Sequence, residues 1–260
     1  MRFRIVDVFT DRPFSGNALC VVVDPCPEAR MGAIAREMNL SETTFPTVTG
    51  EGMYSMRIFT PGFEIPFAGH PSLGSAWVLG PGRWRQTTPG ATVTVEATAD
   101  RAVMSQPDPV ITEVDPDGVG AALGLRGVEG AFLSVAGGTA HVLVPTADPL
   151  DDLAPELTTV ARLAERGGGI SLCAFRRLDD RTLHVRVFVP GAGVPEDPGT
   201  GSAAGPIALL GRRRWGTDVD VVIRQGDEIG RPCRIDAHAE EGAVRVGGRV
   251  TACAEGHFIV

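Results

Sequence analysis

One stretch of the chain occurs twice. Residues 57–79 read RIFTPGFEIPFAGHPSLGSAWVL and residues 186–210 read RVFVPGAGVPEDPGTGSAAGPIALL. At one constant offset, Arg57, Phe59, Pro61, Gly62 and Pro66 match Arg186, Phe188, Pro190, Gly191 and Pro195. After a short insertion, Gly74 matches Gly205. Each copy reads as a strand, a Pro-Gly turn, a glycine-bearing loop and an apolar helix, in that order. Such self-similarity predicts a chain built from two related units. Each copy also delivers a small-residue loop to a helix start, with Pro71 suited to the first helical position. The first N–H groups of a helix lack partners and carry partial positive charge, so helix starts bind anions. Two of them facing each other across a lobe boundary would make a cleft for a small carboxylate-bearing molecule. The alternative is that both loops are structural turns, since glycine loops before helices are common.

A chain of 260 residues is long enough for one large domain or two lobes. Its 33 glycines and 20 prolines suit a strand-rich fold with frequent turns. A formal charge of -8 argues against nucleic acid as a partner, because such binders present a basic face. No apolar run reaches membrane-span length, and MRFRIVDVFTDRPF enters a strand pattern, so the expectation is a cytoplasmic protein with no membrane partner. Cys20, Cys26, Cys173, Cys233 and Cys253 stand singly, which favours reduced, mostly buried thiols over a disulfide set or a zinc site. All 24 basic residues are arginine. Without lysine there is neither a Schiff-base anchor for pyridoxal phosphate nor a P-loop lysine. Chemistry must come from carboxylates, histidine, thiols or backbone dipoles.

Alternation at Phe3, Ile5 and Val8 and the apolar run 19–23 read as strands around a Ser15-Gly16-Asn17 turn. Met31, Ile34, Ala35 and Met38 have helical spacing, predicting a helix over 28–38. Strands are predicted from Ser41, over 53–60, 92–105 and 108–114, and a helix over Leu150 to Arg166. The Asp115-Pro116-Asp117-Gly118 break divides a first lobe, 1–115, from a second, 116–260. The last C-terminal strand is a candidate to complete the first lobe.

Three side chains stand out. His70 lies between Gly69 and Pro71, where a helix end would lower its pKa and favour a neutral, hydrogen-bonding ring. Asp197, in VPEDP, is first of all a helix-capping type, with an orienting role as the alternative, and Glu196 beside it reads as solvated. Glu42 follows Leu40 and precedes Phe45 and Pro46. Apolar surroundings lift a carboxyl pKa, and a glutamate tuned to roughly 6–7 can take and return a proton near neutrality. His141, His184, His238 and His257 show no metal-ligand spacing and read as structural or exposed. The Gly199-x-Gly201-x-x-x-Gly205 run is a weak dinucleotide signal, because the preceding strand ends near Val189 with a proline-bearing loop between.

Four segments together, DVFTDRPFSGNALCVVVD, IAREMNLSETTF, RIFTPGFEIPFAGHPSLG and VFVPGAGVPEDPGTGSAAGP, resemble the PhzF-like isomerase family of phenazine biosynthesis, with its diaminopimelate-epimerase-type fold. The resemblance implies an α+β protein of two pseudo-symmetric lobes, each a curved or barrel-like sheet wrapped around a central helix, with the site between them. It implies a homodimer needing neither metal nor organic cofactor. It assigns Glu42 as the acid/base, with His70 and Asp197 assisting, and Ser41, Gly69, Gly201 and Ser202 as substrate-binding positions. Two-thiol epimerases of this fold carry a cysteine in each glycine loop; here Ala68 and Pro198 stand there, which favours a one-base shuttle. Ala18 replaces the usual proline after Gly-Asn, tyrosine is reduced to Tyr54, and the short chain points to trimmed loops around the cleft. The expected function is a proton shift on a small carboxylate-bearing metabolite; a non-catalytic acid binder and, further off, an epimerase or racemase are the alternatives.

Overall fold

Strand-forming residues at alternate positions open the fold, and the same logic recurs along the chain. It runs β1 (Arg2–Val8), β2 (Asn17–Val22), α1 (Glu28–Met38), β3 (Glu42–Gly50), β4 (Met53–Phe59), β5 (Glu64–Ile65), α2 (Gly69–Leu79), β6 (Gly82–Thr87), β7 (Thr92–Ala97) and β8 (Arg101–Gln106). It continues through β9 (Val110–Val114), α3 (Val119–Leu123), β10 (Ala131–Ala136), β11 (Thr139–Pro145), α4 (Leu157–Arg166), β12 (Leu172–Asp179) and β13 (Thr182–Val189). After a 3-10 turn come β14 (Val194–Asp197), α5 (Gly201–Trp215), β15 (Asp220–Gln225), β16 (Cys233–Glu240) and β17 (Ala243–His257). These elements come from a computed structural model, which describes residues 1–259 apart from the Ala192 side chain. Val260, the end of the second lobe as read from sequence, lies outside the described residues.

Eight strands close a barrel. β1 pairs with β2, β2 with β3, β3 with β4, β4 with β6, β6 with β7 and β7 with β8. The ring is completed by β17, whose segment Val244–Arg249 pairs with β8 and whose segment from Val250 to His257 pairs with β1. Helix α2 runs through this barrel against β1, β2, β7 and β8. Its residues from Gly69 to Ala76 are all buried, so it has no polar face.

The pairings from β10 to β17 repeat those from β1 to β8. β10–β11 is antiparallel, β11–β12 parallel, β12–β13 antiparallel, β13–β15 parallel, and β15–β16 and β16–β17 antiparallel. Helix α5 packs on β16, β17, β11 and β12 and is buried from Gly201 to Gly211. β9 continues the chain from β8 and pairs with β10. One apolar core spans both helices, from Leu73 and Ala76 of α2 to Ile207 and Leu210 of α5. α1 packs Ile34, with Met31 and Met38, in a satellite cluster with Cys20, Val22 and Phe45. α4 packs Val160, Leu163 and Ala164 in another. Among the described residues no helix is long and apolar enough to cross a membrane.

Several elements depart from the sequence pattern. The helix expected from Leu150 starts only at Leu157. Pro155 disfavours a helical residue before it, and Glu156 caps the start by accepting from the Thr158 and Thr159 N–H groups. The segment 92–105 is two strands, β7 and β8, joined by a turn. β14 lies in what reads as a loop. Pro71 is the third helical residue, not the first, because α2 begins at Gly69.

Pro206 inside α5 removes a ladder hydrogen bond, whereas Pro71 in the first turn of α2 removes none. The Phe67 carbonyl, just ahead of α2, accepts from Thr139 Oγ1 at 3.0 Å. Pro206 cannot donate to the Ser202 carbonyl, which accepts from Gln106 Nε2 at 2.6 Å. In each case a buried acceptor is satisfied by a polar side chain from outside the helix.

Candidate active site

The starts of α2 and α5 meet. A Cβ on Gly69 would lie 2.6 Å from the Gly201 carbonyl carbon and the Ser202 nitrogen, so only glycine permits the approach. Gly201 in turn sits against the His70 nitrogen and the ring of Phe9, a buried residue held at φ 66. The two amide-rich helix ends therefore open into one cavity of about 450 Å³.

All seven sequence-derived positions line that cavity: Ser41, Glu42, Gly69, His70, Asp197, Gly201 and Ser202. Glu42 is the first residue of β3 and His70 the second of α2, and Glu42 Oε2 lies 3.3 Å from His70 Nε2. The contact is not aligned as a hydrogen bond, and among the described residues neither atom has another partner. Burial raises the Glu42 pKa well above the ordinary value, and the neighbouring Asp197 adds to the shift. The His70 pKa falls to about 3 because the ring is buried. A neutral ring was expected, but burial is its main cause rather than the helix end.

Asn17, at the start of β2, joins the two halves of the cluster. Its amide nitrogen donates to Asp197 Oδ1 at 2.8 Å and the Gly199 carbonyl at 3.0 Å, and lies 3.1 Å from His70 Nδ1. The two donations use both hydrogens of the Asn17 amide. Ser41 Oγ donates to Asn17 Oδ1 at 3.4 Å. Asp197 is no cap: Thr200 is the capping position, and its hydroxyl donates to Asp197 Oδ2 at 2.5 Å. Burial raises the Asp197 pKa also.

Sequence reading missed Asn17, Thr200 and His141. Asn17 was legible only as part of a turn, and His141 was set aside with the other histidines. His141 is buried, lines the cavity, and its Nε2 is 2.9 Å from Ser202 Oγ. Glu196 is not solvated; it forms a buried ion pair with Arg186 at 2.8 Å. All five cysteines are free, with Cys20, Cys173 and Cys233 buried, and none lines the cavity. The only metal-like cluster among the described residues, Asp151, His184 and Glu228, lies outside the cavity lining, and Arg186 supplies countercharge beside it.

The remaining walls are mostly apolar, with Phe63, Ile65, Phe67, Ile170, Val189 and Val194. Among the described residues no arginine lines the cavity, so an anion there has only neutral donors: hydroxyls and the N–H groups of the two helix starts.

Barrel, paired helix ends and carboxyl–imidazole cluster define a protein of the epimerase-like folds. Residues 6–256 match the family described as phenazine biosynthesis-like protein, and the chain belongs to that family. It is 37% identical to the trans-2,3-dihydro-3-hydroxyanthranilate isomerase of Pseudomonas aeruginosa, covering 98% of each chain. Among solved structures it is similar to a predicted epimerase of Pseudomonas aeruginosa, with a TM-score of 0.86 and 29% identity over 100% of this chain and 99% of that one. A hydroxyproline epimerase from Agrobacterium vitis shares the fold at a TM-score of 0.61 and 14% identity, over 98% of this chain and 91% of that one. The chain is thus an isomerase of the phenazine biosynthesis-like family.

Proposed function

We propose that the chain catalyses a cofactor-independent proton shift on a small carboxylate-bearing metabolite, with Glu42 as both base and acid. The observation that carries this is the Glu42 carboxyl, 16% exposed, against His70 Nε2 at the mouths of two helices. A carboxyl with a raised pKa is poised to take a proton from carbon near neutral pH and to return it. As the C–H bond breaks, its electron pair moves into the adjacent unsaturated system. The same proton then forms a new C–H bond at another carbon, the double bond shifts, and Glu42 returns to its starting state. His70 faces the carboxyl through Nε2, and Asn17 lies between that ring and Asp197. Ser41 and the amides of Gly69, His70, Gly201 and Ser202 hold the substrate carboxylate. The absence of cysteine from the cavity lining supports one base rather than two thiols.

The repeated strand pairings support a reading as two pseudo-symmetric lobes, 1–115 and 116–260, with residues 250–257 completing the first and the site between them. The proposed state of the protein is a cytoplasmic homodimer.

The apolar walls suit an unsaturated ring, and the activity named for the relative makes trans-2,3-dihydro-3-hydroxyanthranilate the first substrate to assay. Glu42→Gln is expected to slow turnover by about 10²- to 10⁴-fold while ligand binding persists. Turnover by this variant at the wild-type rate would refute the assignment. Binding by wild type without product from this or other ring carboxylates would favour the non-catalytic acid binder instead.

A further inference from the structure

A row of four buried polar groups leads from β12 to the cavity. Cys173 Sγ is 3.3 Å from Ser171 Oγ, which is 2.7 Å from His141 Nδ1; His141 Nε2 is 2.9 Å from Ser202 Oγ. The Glu42, His70 and Asn17 cluster does not involve this row, which reaches the cavity at Ser202 on the α5 side. Hydroxyls and imidazole can donate or accept, so two directions of donation are available.

The cavity end of the row decides between them. Cys173 is fully buried, and burial pushes its thiol pKa up to about 12, so the S–H is retained. A thiol is a weak donor and a weak acceptor, so the direction is decided at the Ser202 end. Donation running towards the cavity uses the thiol proton and ends on Ser202 Oγ as acceptor, leaving the Ser202 O–H free to donate into the cavity. Donation in the opposite direction would terminate on sulfur and turn a lone pair of Ser202 to the cavity. That lone pair would face the unpaired N–H groups of the helix starts and repel an anion. Ser202 is also fixed by its carbonyl, which Gln106 holds at 2.6 Å.

We propose that His141 is a positioning residue: as the Nε2–H tautomer it donates to Ser202 Oγ and commits the Ser202 hydroxyl to donate to the substrate carboxylate between the two helix starts. The proposal rests on the reading of the cavity as a carboxylate site. It adds to that reading a residue that never touches the reacting atoms.

Nitrogen-15 NMR of histidine-labelled wild-type protein near neutral pH reads the tautomer directly, without any substrate. A protonated Nε2 and bare Nδ1 at His141 are expected, and an Nδ1–H tautomer would overturn the proposal. In parallel, binding of 3-hydroxyanthranilate, a stable ring carboxylate, is compared among variants. His141→Phe is expected to weaken it about tenfold or more, since Ser202 loses the donor that commits its hydroxyl to the charged carboxylate. His141→Gln, whose amide can still donate to Ser202, is expected to restore most of the loss. Equal affinity in wild type and His141→Phe would sink the idea. If His141→Phe retains its affinity while Glu42→Gln is inactive, only the His141 proposal fails; if Glu42→Gln is fully active, the acid/base assignment fails instead.

Discussion

Burial that raises the Glu42 pKa works against the fold. With its folded-state pKa raised, the native protein keeps a proton that the unfolded chain has already lost. Between the ordinary glutamate value of roughly 4.3 and the raised one, stability therefore falls as pH rises. Glu42→Gln removes that term. Its thermal midpoint should exceed wild type at about pH 8, with the gap narrowing towards about pH 4. His70 and His141, lowered to about 3 and about 4, act in the opposite sense. Their contribution is complete above the ordinary histidine value of roughly 6.5 and is lost as pH falls through the lowered ones, so acid unfolds by charging them. Thermal melts across this range check both signs; a Glu42→Gln advantage that does not grow with pH would contradict the first. Glu42 was legible as a candidate through its motif, but not its surroundings. Leu40 and Phe45 pack with the α1 cluster instead. What buries and perturbs Glu42 comes from α2 and from Asp197, far along the chain.

Helix α5 carries Pro206 within its buried segment, and a remote side chain mends the gap in its ladder. Gln106 Nε2 serves the Ser202 carbonyl that Pro206 cannot reach. Gln106→Leu leaves that carbonyl buried without a donor, a loss of about 1–3 kcal/mol. Urea unfolding should show it as a lower midpoint with an unchanged slope. An unchanged midpoint would mean the carbonyl finds another donor. The elements themselves were readable where periodicity was strong, as in α1, which spans 28–38 as expected. They were less readable where capping chemistry overrode an apolar stripe. Glu156 moves the start of α4 to Leu157, and β14 is too short to show a period. The exposed face expected of Glu196 fails for a related reason: its Arg186 partner lies on β13, outside any local window.

At the scale of the whole molecule, the repeat 57–79 and 186–210 foretold two helix starts, and these are the ends that meet at Gly69 and Gly201. Neither copy alone reveals that the meeting leaves no room for a Cβ. Nor does alternation in the tail reveal that β17 pairs with β8 along one segment and with β1 along the next. Truncation after Arg249 removes the partner of β1 and opens the barrel that holds α2. Such a chain should lose cooperative thermal unfolding and near-ultraviolet dichroism; a sharp native-like melt would show that the barrel closes without that segment.

The same strand has a consequence for synthesis. Residues 1–106 leave the ribosome with β1 and β8 both lacking the partner that joins them. Glu42 and His70 are already made by then, yet the wall around them cannot seal until β17 has emerged. An interrupted translation product thus carries two open sheet edges, the feature by which nascent chains aggregate or attract chaperones. Maturation of the pocket is timed by the arrival of β17 rather than by the codons for Glu42 and His70.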